Sequence, residues 1–272
     1  MRWHDQHFAP PSGIITLLTD FGNADGFVGA MKGVILGIYP TARIVDLTHE
    51  IAPRNIAAGA FLLQAHFKYF PRGTVHVAVV DPGVGTPRKA LAGYWREHYY
   101  VAPDNGLLDF CAEDETCVAV KLTRLEFWRQ EVSHTFHGRD IFAPVAAHLA
   151  AGVALLQLGE PISFNKHGHA KPCYVKGDAL IGEIVYADRF GNLISNLAQI
   201  DFKNFVGNGS FVIQCEHVRI NAITPAYGYA RPGELIALIN SFDCLELGVA
   251  QGNAQTSLAI PLGTPMIIKR GS

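Results

Sequence analysis

Between Ile14 and Val80 the chain alternates short apolar runs with segments of helical periodicity, and this alternation limits the fold more than any other feature. Ile14–Thr19 (IITLLT) reads as a buried strand. Residues 26–38 then place Phe27, Met31, Val34, Ile35 and Ile38 on one side of a helix that Pro40 ends. Residues 44–47 form a second short strand. Residues 56–70 are helical in pattern, with Pro71-Arg72-Gly73 as the stop, and residues 74–80 (TVHVAVV) form a third strand rich in β-branched side chains. Strands separated by helices pair in parallel. The expected fold class is therefore α/β, with a largely parallel sheet covered by helices.

After about Pro172 the pattern changes. Short β-type runs at 179–186, 193–196, 211–220, 234–240 and 265–269 are separated by Gly- and Asn-rich turns, and helical periodicity is weak. This reads as a smaller β domain, barrel-like or a sandwich. The expected division is an extension over 1–13, an α/β catalytic domain over 14–165, a linker over 166–172 containing His167, Gly168 and His169, and a β domain over 173–272. A chain of 272 residues with 49% hydrophobic residues is long enough for two such units.

Charge narrows the range of partners. Lys and Arg number 22 against 24 Asp and Glu, and the net charge of -2 exerts no long-range pull on nucleic acid or anionic lipid. No apolar run approaches the ~20 residues of a membrane-spanning helix. Neither nucleic acid nor membrane is an expected partner. The first thirteen residues hold His4, Asp5 and His7 but no apolar stretch, so no signal peptide is read there. Cys111, Cys117, Cys173, Cys215 and Cys244 are scattered and form no CxxC pair, as expected of reduced, packed thiols in a cytoplasmic protein.

Five segments are rich in groups able to do chemistry. In residues 79–88 a buried run delivers Asp81 into a stiff loop, Pro82-Gly83-Val84-Gly85-Thr86-Pro87, that ends in Arg88. Ligands of open α/β sheets bind beyond the carboxyl ends of strands, where Asp81 is expected, although Asp-Pro-Gly is also a common turn. The loop is not a dinucleotide fingerprint, because Gly-x-Gly-x-x-Arg with Pro87 does not suit a helix interior, and it lacks the Gly-Lys-Ser/Thr of a P-loop. Asp20 also follows a strand, where a carboxylate can take both hydroxyls of a ribose, and Asp25 reads as the cap of the next helix. His137 precedes an Ala-rich helical run, with Asp140 suited to its first turn. Near a helix start the imidazole tends to stay neutral and able to accept a proton. Asp188-Arg189-Phe190-Gly191-Asn192 reads as a polar turn between β runs, for which side-chain-to-backbone hydrogen bonds are the plain account. Asn240-Ser241-Phe242-Asp243 and Gly252-Asn253-Ala254 read as two loops around a β run.

Taken in order, these motifs resemble one family. They are Asp20-Phe21-Gly22 with Gly29-x-Met31-Lys32-Gly33, Asp81-Pro82-Gly83-Val84-Gly85, Pro103-Asp104-Asn105-Gly106-Leu107, Phe136-His137-Gly138-Arg139-Asp140, Asp188-Arg189-Phe190-Gly191-Asn192 and Gln251-Gly252-Asn253-Ala254. The sequence resembles the S-adenosylmethionine (SAM) hydroxide adenosyltransferases, relatives of the SAM-dependent fluorinase and chlorinase, from about Ile14 to Lys269. The resemblance implies hydrolysis of SAM to adenosine and methionine by attack of water at C5′. It implies a water-activating trio at Asp81, Arg88 and His137, ribose binding at Asp20, methionine-ammonium binding at Asp188, adenine binding at Asn192 and around Ala254, and methionine-carboxylate binding at Ser241. It also implies a homotrimer with the site at the subunit interface. In the halogenating relatives tyrosines replace the Asp and the His, and the fluorinase has a serine at the position of Gly138, so this chain carries the set expected for water. SAM is the substrate, no cofactor is expected, and no metal-ligand spacing such as HExxH is present. A SAM or adenosine sensor without turnover, a halogenase and a metal-dependent hydrolase are the rival readings.

Overall fold

The computed structural model describes residues 8–163, 166–169 and 171–271; His4, Asp5 and His7 lie outside the described residues. The chain divides between residues 170 and 171 into two compact units.

The first unit is a sheet with helices on both faces. Its strands and helices, in chain order, are β1 (Ile14–Thr19), α1 (Phe27–Ile38), β2 (Arg43–Thr48), α2 (Ile56–His66), β3 (Val75–Val79), β4 (Ala90–Trp95), β5 (His98–Pro103), β6 (Val118–Leu122), α3 (Ala143–Ala150) and β7 (Gly159–Ile162). The sheet order is β2-β1-β3-β5-β4-β6-β7. Strands β2, β1, β3 and β5 are parallel, β4 runs against β5, β6 returns to the first direction and β7 opposes it. The sheet is thus mostly parallel, with an antiparallel meander on one flank. The region between 88 and 134 carries no strand in the sequence reading; the hairpin β4–β5 and strand β6 fill it.

The period of two along each strand decides what covers it. Ile15 and Leu17 of β1 and Val75, Val77 and Val79 of β3 join Val28, Met31 and Ile35 of α1 and Val145, Ala146 and Leu149 of α3 in one core. On the opposite face Gly59 of α2 brings its backbone against Leu18, Val80 and Leu107, where a Cβ would lie 2.8 Å from Leu107 Cδ2. Thr16, His76 and His98 form a buried polar line on this second face, Thr16 Oγ1 to His76 Nδ1 at 2.8 Å and His76 Nε2 to His98 Nδ1 at 3.1 Å. Burial, reinforced by neighbouring His98, pushes the His76 imidazole down to about 3, so it is neutral there at ordinary pH.

Two local expectations need correction. Gly26, with φ 73°, is the N-cap of α1 and no side chain caps it, so Asp25 is not the cap. The helix over 56–70 ends its α-helical part at His66 and closes with a 3₁₀ turn over Phe67–Tyr69.

The second unit contains β8 (Tyr174–Lys176), β9 (Ala179–Ala187), β10 (Leu193–Ala198), α4 (Gln199–Val206), β11 (Phe211–Cys215), β12 (Val218–Ile220), β13 (Leu235–Ile239), β14 (Cys244–Val249), α5 (Ala254–Leu258) and β15 (Pro265–Arg270). Every strand pairing is antiparallel, in the order β12-β11-β15-β9-β10-β14-β13, with β8 also on β9. The barrel-like sheet encloses Leu180, Ile184, Leu193, Leu197, Ile213, Leu245, Leu247 and Ile268. The run over 211–220 is two strands, because Glu216 at φ 51° turns the chain between Cys215 and Val218. Helix α4, whose Phe202, Phe205 and Val206 are buried, is absent from the sequence reading because its periodicity is weak.

Candidate active site

Parallel strands bring their carboxyl ends to one edge of the sheet, and the first unit gathers its charged groups there. Asp20 follows β1, His49 follows β2, Asp81 lies two residues beyond β3, and Asp104 with Asn105 follows β5. Asn105 Nδ2 donates to the Val80 carbonyl at 2.8 Å and so fixes the residue just before Asp81. Asp20 Oδ2 accepts the Arg54 backbone N–H at 2.8 Å. Thr19, immediately before Asp20, pairs in register with Val79 of β3.

Asp81 and Arg88 meet because the loop between them folds back through two tight turns. Val84 N–H donates to the Asp81 carbonyl and Thr86 N–H to the Gly83 carbonyl, each at 3.2 Å. Gly85 makes this possible. Its φ is 78°, and a Cβ there would overlap the His134 carbonyl oxygen, so only glycine lets the loop lie against the segment that carries His137. Arg88 then grips Asp81 with both arms of its fork, Nε donating to Oδ1 at 2.7 Å and one terminal NH₂ group to Oδ2. The side chains are 10% and 4% exposed respectively.

The same NH₂ group of Arg88 donates its second hydrogen to His137 Nδ1 at 3.0 Å. Guanidinium only donates, so His137 accepts at Nδ1 and, when neutral, carries its hydrogen on Nε2. Burial first, and then the charge of Arg88, hold the His137 imidazole below its ordinary 6.5, with Asp81 and Asp140 opposing. The Arg88 guanidinium also lies over the Phe142 ring at 5.4 Å. Asp81, Arg88 and His137 are therefore one contiguous cluster, and His137 within it stays uncharged at neutral pH.

The FHGRD motif forms this side of the cluster for reasons spacing did not show. His137 precedes one turn of π-helix, Gly138–Phe142, a local widening found often at functional sites. Asp140, fully buried, accepts from Arg139 Nε at 2.7 Å, Arg129 at 3.2 Å and the Ser133 backbone N–H at 2.9 Å. Burial alone pushes its carboxyl upward. Arg139, the Ser133 N–H and Arg129 outweigh burial and hold it below the usual carboxylate value. Asp140 thus pins the strand-less segment before His137 and does more than complement a helix dipole. At Gly138 a Cβ would meet Phe136, Met31 and Phe21 at 3.2–3.4 Å. A side chain there would be aimed among apolar atoms.

The second unit brings the remaining candidates together in part. Asp188 Oδ1 accepts the backbone N–H groups of Phe190 and Asn192, both at 2.9 Å, and Oδ2 accepts Asn192 Nδ2 at 2.8 Å. The plain turn is therefore real, and a carboxylate with four lone-pair directions retains capacity for a further donor. Gly191, at φ 84°, packs directly on Asn253, and Gln255 N–H donates to the Gly191 carbonyl at 2.8 Å. This joins the Asp188–Asn192 turn to the 251–254 loop, two motifs 60 residues apart in the sequence. Ser241 lies in an exposed turn, whereas Ala254 is fully buried in the core of the unit, so it can meet a ligand through its backbone alone. Among the described residues no group of three or more His, Cys, Asp or Glu side chains is placed to hold a metal ion. No helix among them is long and apolar enough to cross a membrane.

Comparison with known families gives a match in each half of the chain. The SAM hydroxide adenosyltransferase N-terminal domain matches residues 15–159 and the corresponding C-terminal domain matches residues 182–267. The chain belongs to the SAM hydroxide adenosyltransferase family. Members of this family named (R)-S-adenosyl-L-methionine hydrolase are similar along nearly the whole length. One from Salinispora tropica is 36% identical over 96% of this chain and 99% of its own, and one from Methanocaldococcus jannaschii is 36% identical over 91% and 92%. A fluorinase from Actinoplanes sp. is 30% identical over 70% of this chain and 73% of its own. Among solved structures, an uncharacterized conserved protein from Thermotoga maritima superposes with a TM-score of 0.86 at 35% identity. It covers 94% of this chain and 100% of its own.

Proposed function

We propose that this chain is an enzyme that hydrolyses (R)-S-adenosyl-L-methionine to adenosine and L-methionine, the oxygen of water attacking C5′. The observation that carries the reading is the contiguous Asp81–Arg88–His137 cluster in a member of this family. The sulfonium is already cationic, so methionine departs as a neutral thioether and needs no general acid. The demanding part is the nucleophile. In our reading a water comes between Arg88 and His137, accepts a hydrogen bond from the guanidinium, and gives one proton to the His137 Nδ1 lone pair to which Arg88 donates in the structure. Arg88 then stabilises the hydroxide that forms. The C5′–O bond forms as the C5′–S bond breaks, and the electron pair stays on sulfur. Asp81 keeps Arg88 aimed. Asp20 holds the ribose hydroxyls, Asp188 the ammonium, Asn192 and the backbone at Ala254 the adenine, and Ser241 the carboxylate.

The same proposal includes a cytoplasmic homotrimer in which the first unit of one subunit and the second unit of its neighbour complete each site. Sedimentation that returned a stable, fully active monomer would remove the shared site. Hydrolysis as written draws on no cofactor. The greater similarity to relatives named hydrolase than to the fluorinase favours water over halide.

The direct test incubates the protein with SAM and a strong chelator and separates the products by chromatography. Adenosine and methionine in equal amounts support the proposal. SAM bound but unconsumed means a sensor, and activity abolished by the chelator means a metal-dependent hydrolase. Asp20→Ala and Asp188→Ala are expected to weaken SAM binding more than they slow the bound complex, by about 10- to 100-fold each, the scale of a hydrogen bond to a charged group. Equilibrium dialysis with wild-type affinity in either variant would refute the assigned contact.

The cluster also fixes the sign of the pH dependence. The neutral imidazole is the active form, and burial and Arg88 hold its pKa below 6.5. Activity is expected to be flat from pH 8 to 7 and to fall with acid through a midpoint below 6.5. A midpoint above 6.5 contradicts this account.

A further inference from the structure

Glu246 is a carboxylate set in the middle of a sheet, where an apolar side chain packs at lower cost. It lies on β14 opposite Ile194 of β10 and Leu238 of β13. Its neighbours Leu245 and Leu247 belong to the core of the unit, so Glu246 points from the other face, yet it is only 1% exposed. Oε1 accepts the Tyr227 hydroxyl, and Oε2 accepts Asn240 Nδ2 at 2.9 Å. Each partner leads to a group assigned to substrate. The Tyr227 hydroxyl oxygen accepts from Asn192 Nδ2 at 3.3 Å, and that nitrogen also donates to Asp188. Asn240 Oδ1 accepts the backbone N–H groups of Phe242 and Cys244 at 2.9 and 3.1 Å, which shapes the turn that carries Ser241. Gly248, two residues along β14 on the same face, leaves the room. A Cβ there would approach Asn192 Oδ1 at 3.2 Å and Tyr227 Cε1 at 3.4 Å.

We infer that Glu246 is a positioning residue that, through Tyr227 and Asn240, locks the Asp188–Asn192 turn and the Ser241 turn into one geometry. An amino-acid moiety carrying an ammonium and a carboxylate is then received by two turns whose relation is fixed in advance. The inference rests on the reading of Asp188, Asn192 and Ser241 as substrate contacts. A buried carboxylate is poor value as a source of stability, because desolvation offsets its attractions, and such groups gather at functional sites. Burial pushes the Glu246 carboxyl up and Asp188 adds to this, while the bonds from Tyr227 and Asn240 oppose it.

The test uses the full chain with two single variants and their combination. Glu246→Gln keeps the shape but turns one acceptor into a donor, and Tyr227→Phe keeps the ring but removes the hydroxyl. Each is expected to raise KM for SAM about 10- to 100-fold, the scale of losing a hydrogen bond to a charged group, with kcat falling far less. The double variant is expected to be little worse than the worse single one, because both break one network. Circular dichroism melts identify the variants that fold, and Tyr227→Phe decides the matter alone if Glu246→Gln does not. Wild-type turnover with an unchanged KM in the folded variants overturns the role of Glu246. Failure of the wild-type protein to release adenosine overturns the functional reading instead.

Discussion

Arg88→Lys will cut kcat by about 10²- to 10³-fold, the usual consequence of removing a fixed donor from a developing anion. Lysine keeps the positive charge but not the planar fork. The wild-type guanidinium holds both oxygens of Asp81 and still has a hydrogen for His137 Nδ1. An ammonium is a single compact centre and cannot maintain those three directions together. SAM affinity should change much less than turnover, because the groups assigned to ribose and ammonium, Asp20 and Asp188, are separate from this contact. Single-turnover kinetics at saturating SAM measures the step, and a wild-type rate in this variant removes Arg88 from the mechanism. Arg88→Met is a harsher change. It leaves the Asp81 carboxylate, 4% exposed, without its partner, and breaking such a buried pair costs about 3–5 kcal/mol of stability.

Gly85→Ala will damage the site without touching any reacting group. The alanine must adopt φ 78°, which costs about 1–2 kcal/mol, and its methyl group collides with the His134 carbonyl. The collision involves backbone on both sides, so relief requires the 81–88 loop and the 134–137 segment to part. They carry Asp81 and Arg88 on one side and His137 on the other. A displacement of about 1 Å in such an arrangement is enough to cost about 10²-fold in rate. The expected result is a melting temperature several degrees lower and kcat reduced by about two orders of magnitude. A variant with wild-type melting and wild-type kcat would show that the loop is not held by this contact.

These two residues also show what the sequence made legible. Buried strands such as IITLLT and TVHVAVV, and the helix of residues 27–38, announce themselves because burial on both faces, or on one helical stripe, dictates composition. The hairpin of β4 and β5 does not, since ALAGYW and HYYVAP mix small, aromatic and polar residues whose burial comes from distant partners, Tyr94, Tyr99 and Val101 joining the core of the unit and Trp95 and Tyr100 packing against Phe67 and Phe110. The order of motifs pointed to Asp81, Arg88 and His137, and they do meet. That Gly85 is the hinge of their meeting depends on a carbonyl 49 residues further on, and no local pattern encodes that. Asp140 reads as a dipole partner but is a buried carboxylate held by two half-exposed arginines, Arg129 and Arg139. Glu246 is silent in the sequence, because Leu-Glu-Leu alternation describes an exposed strand face equally well, and the distant partners Tyr227 and Asn240 make the difference. In the sequence Asp188 and Asn253 belong to separate loops. Gly191 joins them by having no side chain.

The central claim, that water attacks C5′ of the adenosyl group, has a direct measurement. The reaction is run in ¹⁸O-water, without halide and again with chloride or fluoride, and the products are weighed by mass spectrometry. The account predicts one ¹⁸O in the 5′-hydroxyl of adenosine, none in methionine, and no 5′-halo-adenosine. Arg88 already gives its hydrogens to Asp81 and His137, a halide brings no proton for His137 to take, and Gly138 supplies no hydroxyl to replace the lost hydration of a halide. Methylthioadenosine as the main product, or efficient halide incorporation, would contradict it.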